Sequence, residues 1–143
     1  GGKTGRSKEY RRIPDREYFL RGRDYLKTPV RNVIYTKTRP LESRAAGLDA
    51  LAELSMINPP GHPVVAIERS RLNDGQTEIV HNMDLIRDRC PVEVELWDYN
   101  PGLFSDEHHV DLLSLYASLK EVTDERVEQA LEEALRGEPW YTD

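Results

Sequence analysis

Apolar positions along the 143 residues fall into short runs and stripes, separated by breaks rich in Pro and Gly, and these set the expected elements. Pro14 and Asp15 open a helix that runs to about Leu26, since a proline in the first turn lacks only an N–H that would be unpaired anyway. Tyr18, Phe19, Tyr25 and Leu26 share one face of it and Arg16, Arg21 and Arg23 stay in water. Gly22 weakens it by roughly 1 kcal/mol relative to alanine. After Thr28-Pro29, the β-branched and aromatic run Arg31–Lys37 reads as a strand. A second helix starts at Pro40–Ser43 with Ser43 as N-cap. Its stripe of Leu48, Leu51, Ala52 and Ser55 suits a helix lying on a sheet, and Asn58-Pro59-Pro60-Gly61 ends it.

The uninterrupted apolar run Pro63–Ile67 predicts a strand buried on both faces. Asn73-Asp74-Gly75, with Glu78-Ile79-Val80 behind it, reads as a hairpin. Asp84–Arg89 is a short helix or a loop, closed by Pro91. Val92–Tyr99 alternates, placing Val92, Val94 and Leu96 on one face and Glu93, Glu95 and Trp97 on the other, the pattern of a half-exposed strand. Asn100-Pro101-Gly102 turns the chain. Two helices follow, one with a stripe of Leu112, Leu115, Tyr116 and Leu119. The other is capped by Thr123 or Asp124 and buries Val127, Ala130, Leu131, Ala134 and Leu135. Gly137 terminates it. The expected fold class is α/β or α+β: a small mixed β-sheet of about three to five strands packed with about four α-helices, two of them consecutive at the C-terminus.

Length allows one core and not two ordinary domains. With 38% hydrophobic and 32% charged residues, the chain reads as a soluble domain with a heavily charged surface. No apolar run approaches bilayer length and no signal-peptide pattern is present, so no membrane partner is expected. The lone Cys90 excludes an internal disulfide and a thiolate zinc cage, and fits a reducing cytoplasm. The first residue is not Met, so the chain reads as a fragment, with Gly1 and Gly2 either native or left by cloning. Charge divides it further. Residues 1–44 carry 13 Lys/Arg against 5 Asp/Glu, a balance of +8; the remainder carries 7 against 21, or −14, giving the net −6. A basic arm on an acidic body suggests a polyanion-facing end and a body that repels nucleic acid. Residues 1–12 (GGKTGRSKEYRR) have nothing to bury and are expected to be disordered or a single strand. Their glycine-rich turn followed by Arg6, Lys8, Tyr10 and Arg12 has the pattern of the second strand of a winged-helix wing. That makes Lys3, Arg6, Lys8, Arg11 and Arg12 candidate DNA-backbone contacts. The expected organisation is therefore 1–12 as a basic tail, the end of a truncated wing, and 13–143 as a single domain.

Two constellations carry candidate chemistry. Asp106-Glu107-His108-His109 with Asp111 offers imidazole and carboxylate donors suited to zinc, manganese or iron. Successive helical positions point about 100° apart, however, and do not converge on one ion. No HEXXH spacing occurs, and His62 and His81 have no motif around them. The competing reading, a polar helix N-terminus capped by Asp106 with solvated histidines, is preferred. No metal is expected, with His108, His109 and Asp111 as residual candidates. Glu93 and Glu95 lie about 7 Å apart on one strand face and suit Mg²⁺ or an acid–base pair. The third acidic group and the basic or Gly-Ser partner of a nuclease or nucleotidyltransferase are missing, so these glutamates read as the wet face of a strand. No nucleophile elbow, Walker A or dinucleotide fingerprint occurs. Cys90, between Arg89 and Pro91, is either a redox-sensing thiol or, preferably, a buried structural one. No catalytic residue and no cofactor is expected.

Several separated words resemble a known family. Glu93, Glu95, Trp97, Tyr99 and Pro101 form E-x-E-x-W-x-Y-x-P; Val110–Lys120 follows as VDLLSLYASLK, then Asp124-Glu125-Arg126-Val127. Thr28–Arg31 and Gly47–Pro60 fit the same pattern. Together they resemble the C-terminal part of bacterial winged-helix transcriptional regulators of MarR-like or AbiEi-type antitoxin-like organisation, over most of residues 28–136. The resemblance implies a DNA-binding regulator whose helix-turn-helix lies upstream and whose body senses an effector, binds a partner or dimerises. It supplies no catalytic residues.

The expected function is thus the non-catalytic C-terminal regulatory or dimerisation domain of a DNA-binding regulator. DNA would be contacted through the N-terminal domain, with a homodimer, a partner protein or a small-molecule effector on the body, and Glu93, Glu95, Trp97 and Tyr99 as the partner or effector surface. The alternatives are a small metal-dependent nuclease or nucleotidyltransferase-like enzyme, and an antitoxin body neutralising a toxin.

Overall fold

The chain builds its sheet around the middle one of five strands. In the computed structural model, residues 15–72, 79–80, 91–105 and 107–141 are described. Helix α1 spans Asp15–Gly22 and continues as a 3₁₀ turn over Arg23–Tyr25; strand β1 is Val30–Thr36, β2 is Arg44–Ala45, and helix α2 is Gly47–Leu54. Strand β3 is Val64–Glu68, β4 is Ile79–Val80 and β5 is Val92–Trp97, followed by helices α3, Leu112–Leu119, and α4, Glu125–Arg136. The five strands lie in the order β2-β3-β5-β1-β4. β3 and β5 run parallel, whereas the other pairs are antiparallel. This is an α+β fold with a mixed sheet, and two of its helices follow one another near the C-terminus.

Strand β5 is central because its two neighbours already carry the right patterns. The apolar run of β3 has four of five residues buried, as a strand covered on both faces requires. On one face of the sheet, Trp97, Val64 and Ala66 form a core with buried residues of α2, α3 and α4, including Leu51, Leu115 and Leu131. Each such side chain stabilises by about 1.5–3 kcal/mol when fully buried. On the other face Ile34, Val65, Ile67, Val92, Val94 and Leu96 form a second apolar row. Both sides of β5 are thus interior, and the half-exposed strand expected from its alternation is corrected. Trp97 is fully buried and Glu95 is 8% exposed.

Three further expectations change. Ser43 is not a helix cap: its hydroxyl donates to the Pro40 carbonyl at 2.8 Å, in a turn where Glu42 has φ 62°. The chain then pairs as β2, opposite Ala66 and Val65, so α2 begins only at Gly47. The helix start is instead tied to the sheet by Asp49, whose Oδ2 accepts from the Val64 amide at 3.1 Å. The segment Ile79–Val80 pairs with β1, opposite Thr36 and Tyr35, and not with the strand that precedes it; the turn at 73–75 and the residues 84–89 lie outside the described residues. In α1 the anticipated shared face is broken, since Tyr18 and Tyr25 are 69% and 83% exposed while Phe19 is buried. Tyr18 and Phe19 point about 100° apart, so one faces out where the other faces in, and the switch to a 3₁₀ turn at Arg23 shifts the phase again before Tyr25.

The C-terminal helices follow their patterns. All five expected positions of α4 are buried, and its ends are capped by Asp124 and Gly137. Phe19 of α1 anchors the remaining layer, packing edge-on to Tyr116 at 5.0 Å and near Trp140 and Tyr141. Among the described residues no helix is long and apolar enough to cross a membrane.

Candidate functional site

The acidic strand places its side chains in three different environments. Glu93 is half-buried, and its Oε1 lies 2.8 Å from Nε2 of His62. Across the sheet it faces Tyr35, whose hydroxyl pKa is raised by burial and then by the Glu93 charge. Glu95 lies beneath the start of α2: a Cβ added to Gly47 would stand 3.3 Å from its Oε2. The Trp97 indole donates to Glu95 Oε1 at 3.0 Å. Burial pushes the Glu95 carboxyl up to about 7, against the lowering effect of the Trp97 hydrogen bond, and the Glu93 charge pushes the same way as burial. Glu95 and Trp97 therefore belong to the interior, and of the four residues expected to form a surface only Glu93 and Tyr99 reach solvent in part. Asp98, on the next position, is held by Arg31 at 3.1 Å and Arg69 at 3.4 Å.

The histidine pair is also placed differently from a helix N-terminus. The Ala45 amide donates to the His108 carbonyl and the Val110 amide to the Ala45 carbonyl, each at 2.9 Å, so this segment is extended and bridged to the sheet edge. His108 pairs with Glu53 of α2. His109 Nδ1 lies 2.8 Å from the Val110 carbonyl, and the two imidazoles meet edge to face at 5.5 Å. Asp111 caps α3 in the place expected for Asp106, its Oδ2 accepting from the Ser114 amide at 2.9 Å. His108, His109 and Asp111 thus each have a separate partner. Among the described residues no three His, Cys, Asp or Glu side chains are grouped to hold an ion. Lys3, Arg6, Lys8, Arg11, Arg12, His81, Cys90 and Asp106 lie outside the described residues.

A cleft of about 440 Å³ opens beside Asp111 instead. Its walls include Tyr99 and Phe104 from the turn after β5, Leu113 of α3, Leu26 after α1, and Trp140 from the C-terminal segment. Trp97 supports Tyr99 from the core side, edge-on at 5.6 Å, and Tyr99 in turn meets Phe104 at 6.1 Å. The Tyr99 hydroxyl and Ser114 Oγ are 2.6 Å apart. Burial raises the Tyr99 pKa first, opposed by the Ser114 hydrogen bond, and the Asp111 charge raises it further. Asp111 Oδ1 is shut off from solvent and has no hydrogen-bond partner among the described residues. A second groove of about 330 Å³ adjoins the first, sharing Leu26, Leu113 and Trp140 and adding Tyr18.

Only Tyr99 and Asp111 of this cleft were legible as site residues. Phe104, 68% exposed, lies in the turn after β5, and Leu113, 44% exposed, is an apolar position off the buried stripe of α3. That misfit was a signal the periodicity offered. Trp140 carried none: besides its neighbours Glu138 and Tyr141, its ring meets Phe19 of α1, far away in the chain.

Comparison of the chain with protein-family models, with curated proteins and with solved structures finds no match.

Proposed function

We propose that this chain is the regulatory domain of a DNA-binding transcriptional regulator, non-catalytic in itself, with an effector received in the Asp111 cleft. The observation that carries this reading is the cleft: apolar and aromatic walls around a small number of polar groups, one of them a buried carboxylate oxygen without a donor among the described residues. That composition suits binding of a small ligand. The acidic strand, by contrast, has Glu93 tied to His62 and Glu95 sealed under α2, so neither lines this cleft. The basic arm supports the DNA side of the reading through its charge, and an antitoxin surface built on Trp97 is disfavoured by the burial of its ring.

The test is fluorescence anisotropy of the whole chain on a labelled duplex of arbitrary sequence. If Lys3, Arg6, Lys8, Arg11 and Arg12 each neutralise a phosphate, log affinity falls with log salt at a slope of about −4.5. That corresponds to a loss of about 500-fold between roughly 50 and 200 mM salt. Tight sequence-specific binding by this chain alone, or affinity indifferent to salt, contradicts the reading.

A further inference from the structure

We propose that the Asp111 cleft is a receptor for an organic ammonium ion: a protonated amine carried on a small aromatic or branched apolar body. The proposal rests on the regulatory reading above and gives its effector a chemical class. Three rings, Tyr99, Phe104 and Trp140, line the same cleft, and aromatic faces attract a cation through their quadrupole, most strongly where water is excluded. The Asp111 carboxylate stands in the wall with one oxygen on the Ser114 amide and the other without a partner among the described residues. Because Oδ1 is shut off from solvent, the carboxylate acts on the cleft through its negative potential, which a ligand N–H⁺ compensates without touching that oxygen.

Glu138 adds a second carboxylate, which accepts from the Trp140 indole at 3.1 Å. Among the described lining residues Lys27 is the cation and is exposed, so with Asp111 and Glu138 they carry one net negative charge. An anionic ligand would meet two carboxylates, and a neutral one would gain the walls alone. Leu26 and Leu113 provide apolar contact for the ligand body, and about 440 Å³ admits a single ring with a short chain.

The chain is titrated with 2-phenylethylammonium, 2-phenylethanol and phenylacetate, followed by amide shifts near Asp111 and by the Trp140 indole resonance. The ammonium is expected to bind about tenfold or more tightly than the alcohol or the carboxylate. Asp111→Asn keeps the helix cap, since Asn caps as well as Asp, but is expected to reduce ammonium binding about tenfold while leaving the alcohol unchanged. Leu113→Arg, at an exposed position, is expected to exclude the ammonium with the fold intact. Equal affinity for ammonium and alcohol overturns the proposal while leaving an effector cleft in place. Failure of all three probes to shift these resonances at millimolar concentration also overturns it. Neither result bears on the salt dependence of DNA binding, which tests the regulatory reading separately.

Discussion

Glu95 shows how one residue's neighbours decide what its chemistry can be. Its carboxyl lies beside Gly47 and the Trp97 indole, and burial keeps its proton on up to about pH 7, against an ordinary value of 4.5. The folded chain therefore holds a proton that the unfolded chain releases, and the stabilising contribution is full below about 4.5 and lost as pH rises to about 7. The whole effect amounts to about 3 kcal/mol at most. Glu95→Gln keeps an acceptor for the indole and removes the titration. Its advantage over the parent chain is expected to be larger at about pH 8 than at about pH 4. Urea midpoints at the two pH values check this, and an advantage independent of pH would refute the buried proton. The alternation of β5 correctly tells which side chains share a face with Glu95. It does not tell that the face is dry, because dryness depends on β3 and β1 lying on either side and on α2 lying above.

Among the elements, α4 was readable to the residue because its stripe, its Asp124 cap and its Gly137 end all lie within one stretch. The run of β3 was equally plain. The start of α2 was not, since Arg44 and Ala45 are drawn into the sheet by pairing with a distant strand, and local capping chemistry has no knowledge of that. The new start falls on Gly47 at φ 54°, where an added Cβ would stand 2.9 Å from Val64 Cγ1. Positive φ costs a residue with a Cβ about 1–2 kcal/mol, and overpacking adds about 1–3. Gly47→Ala is accordingly expected to destabilise by about 2–5 kcal/mol, read from chemical denaturation; a loss within experimental error would show that the helix start can move. The cleft was the least legible element of all. Its walls come from four separated pieces of chain, and only the assembled layers bring Leu26, Tyr99, Leu113 and Trp140 together.

For the molecule as a whole, the charge division into a basic front and an acidic remainder is visible from composition, whereas the sheet order is not. β5 joins β1 and β3, which share no pairing of their own. A chain ending at residue 91 is thus expected to show no cooperative urea transition by circular dichroism, and a sharp transition would mean that β1 and β3 find another pairing. Sheets closed by such distant contacts form slowly. During synthesis, when residues leave the ribosome in order, β1 and β3 emerge as two strands with open edges and stay so until Trp97 follows them out. Translation broken off before that point yields a product for chaperones and proteases rather than a partial domain. The cleft waits longer still, until Leu113 and Trp140 have followed.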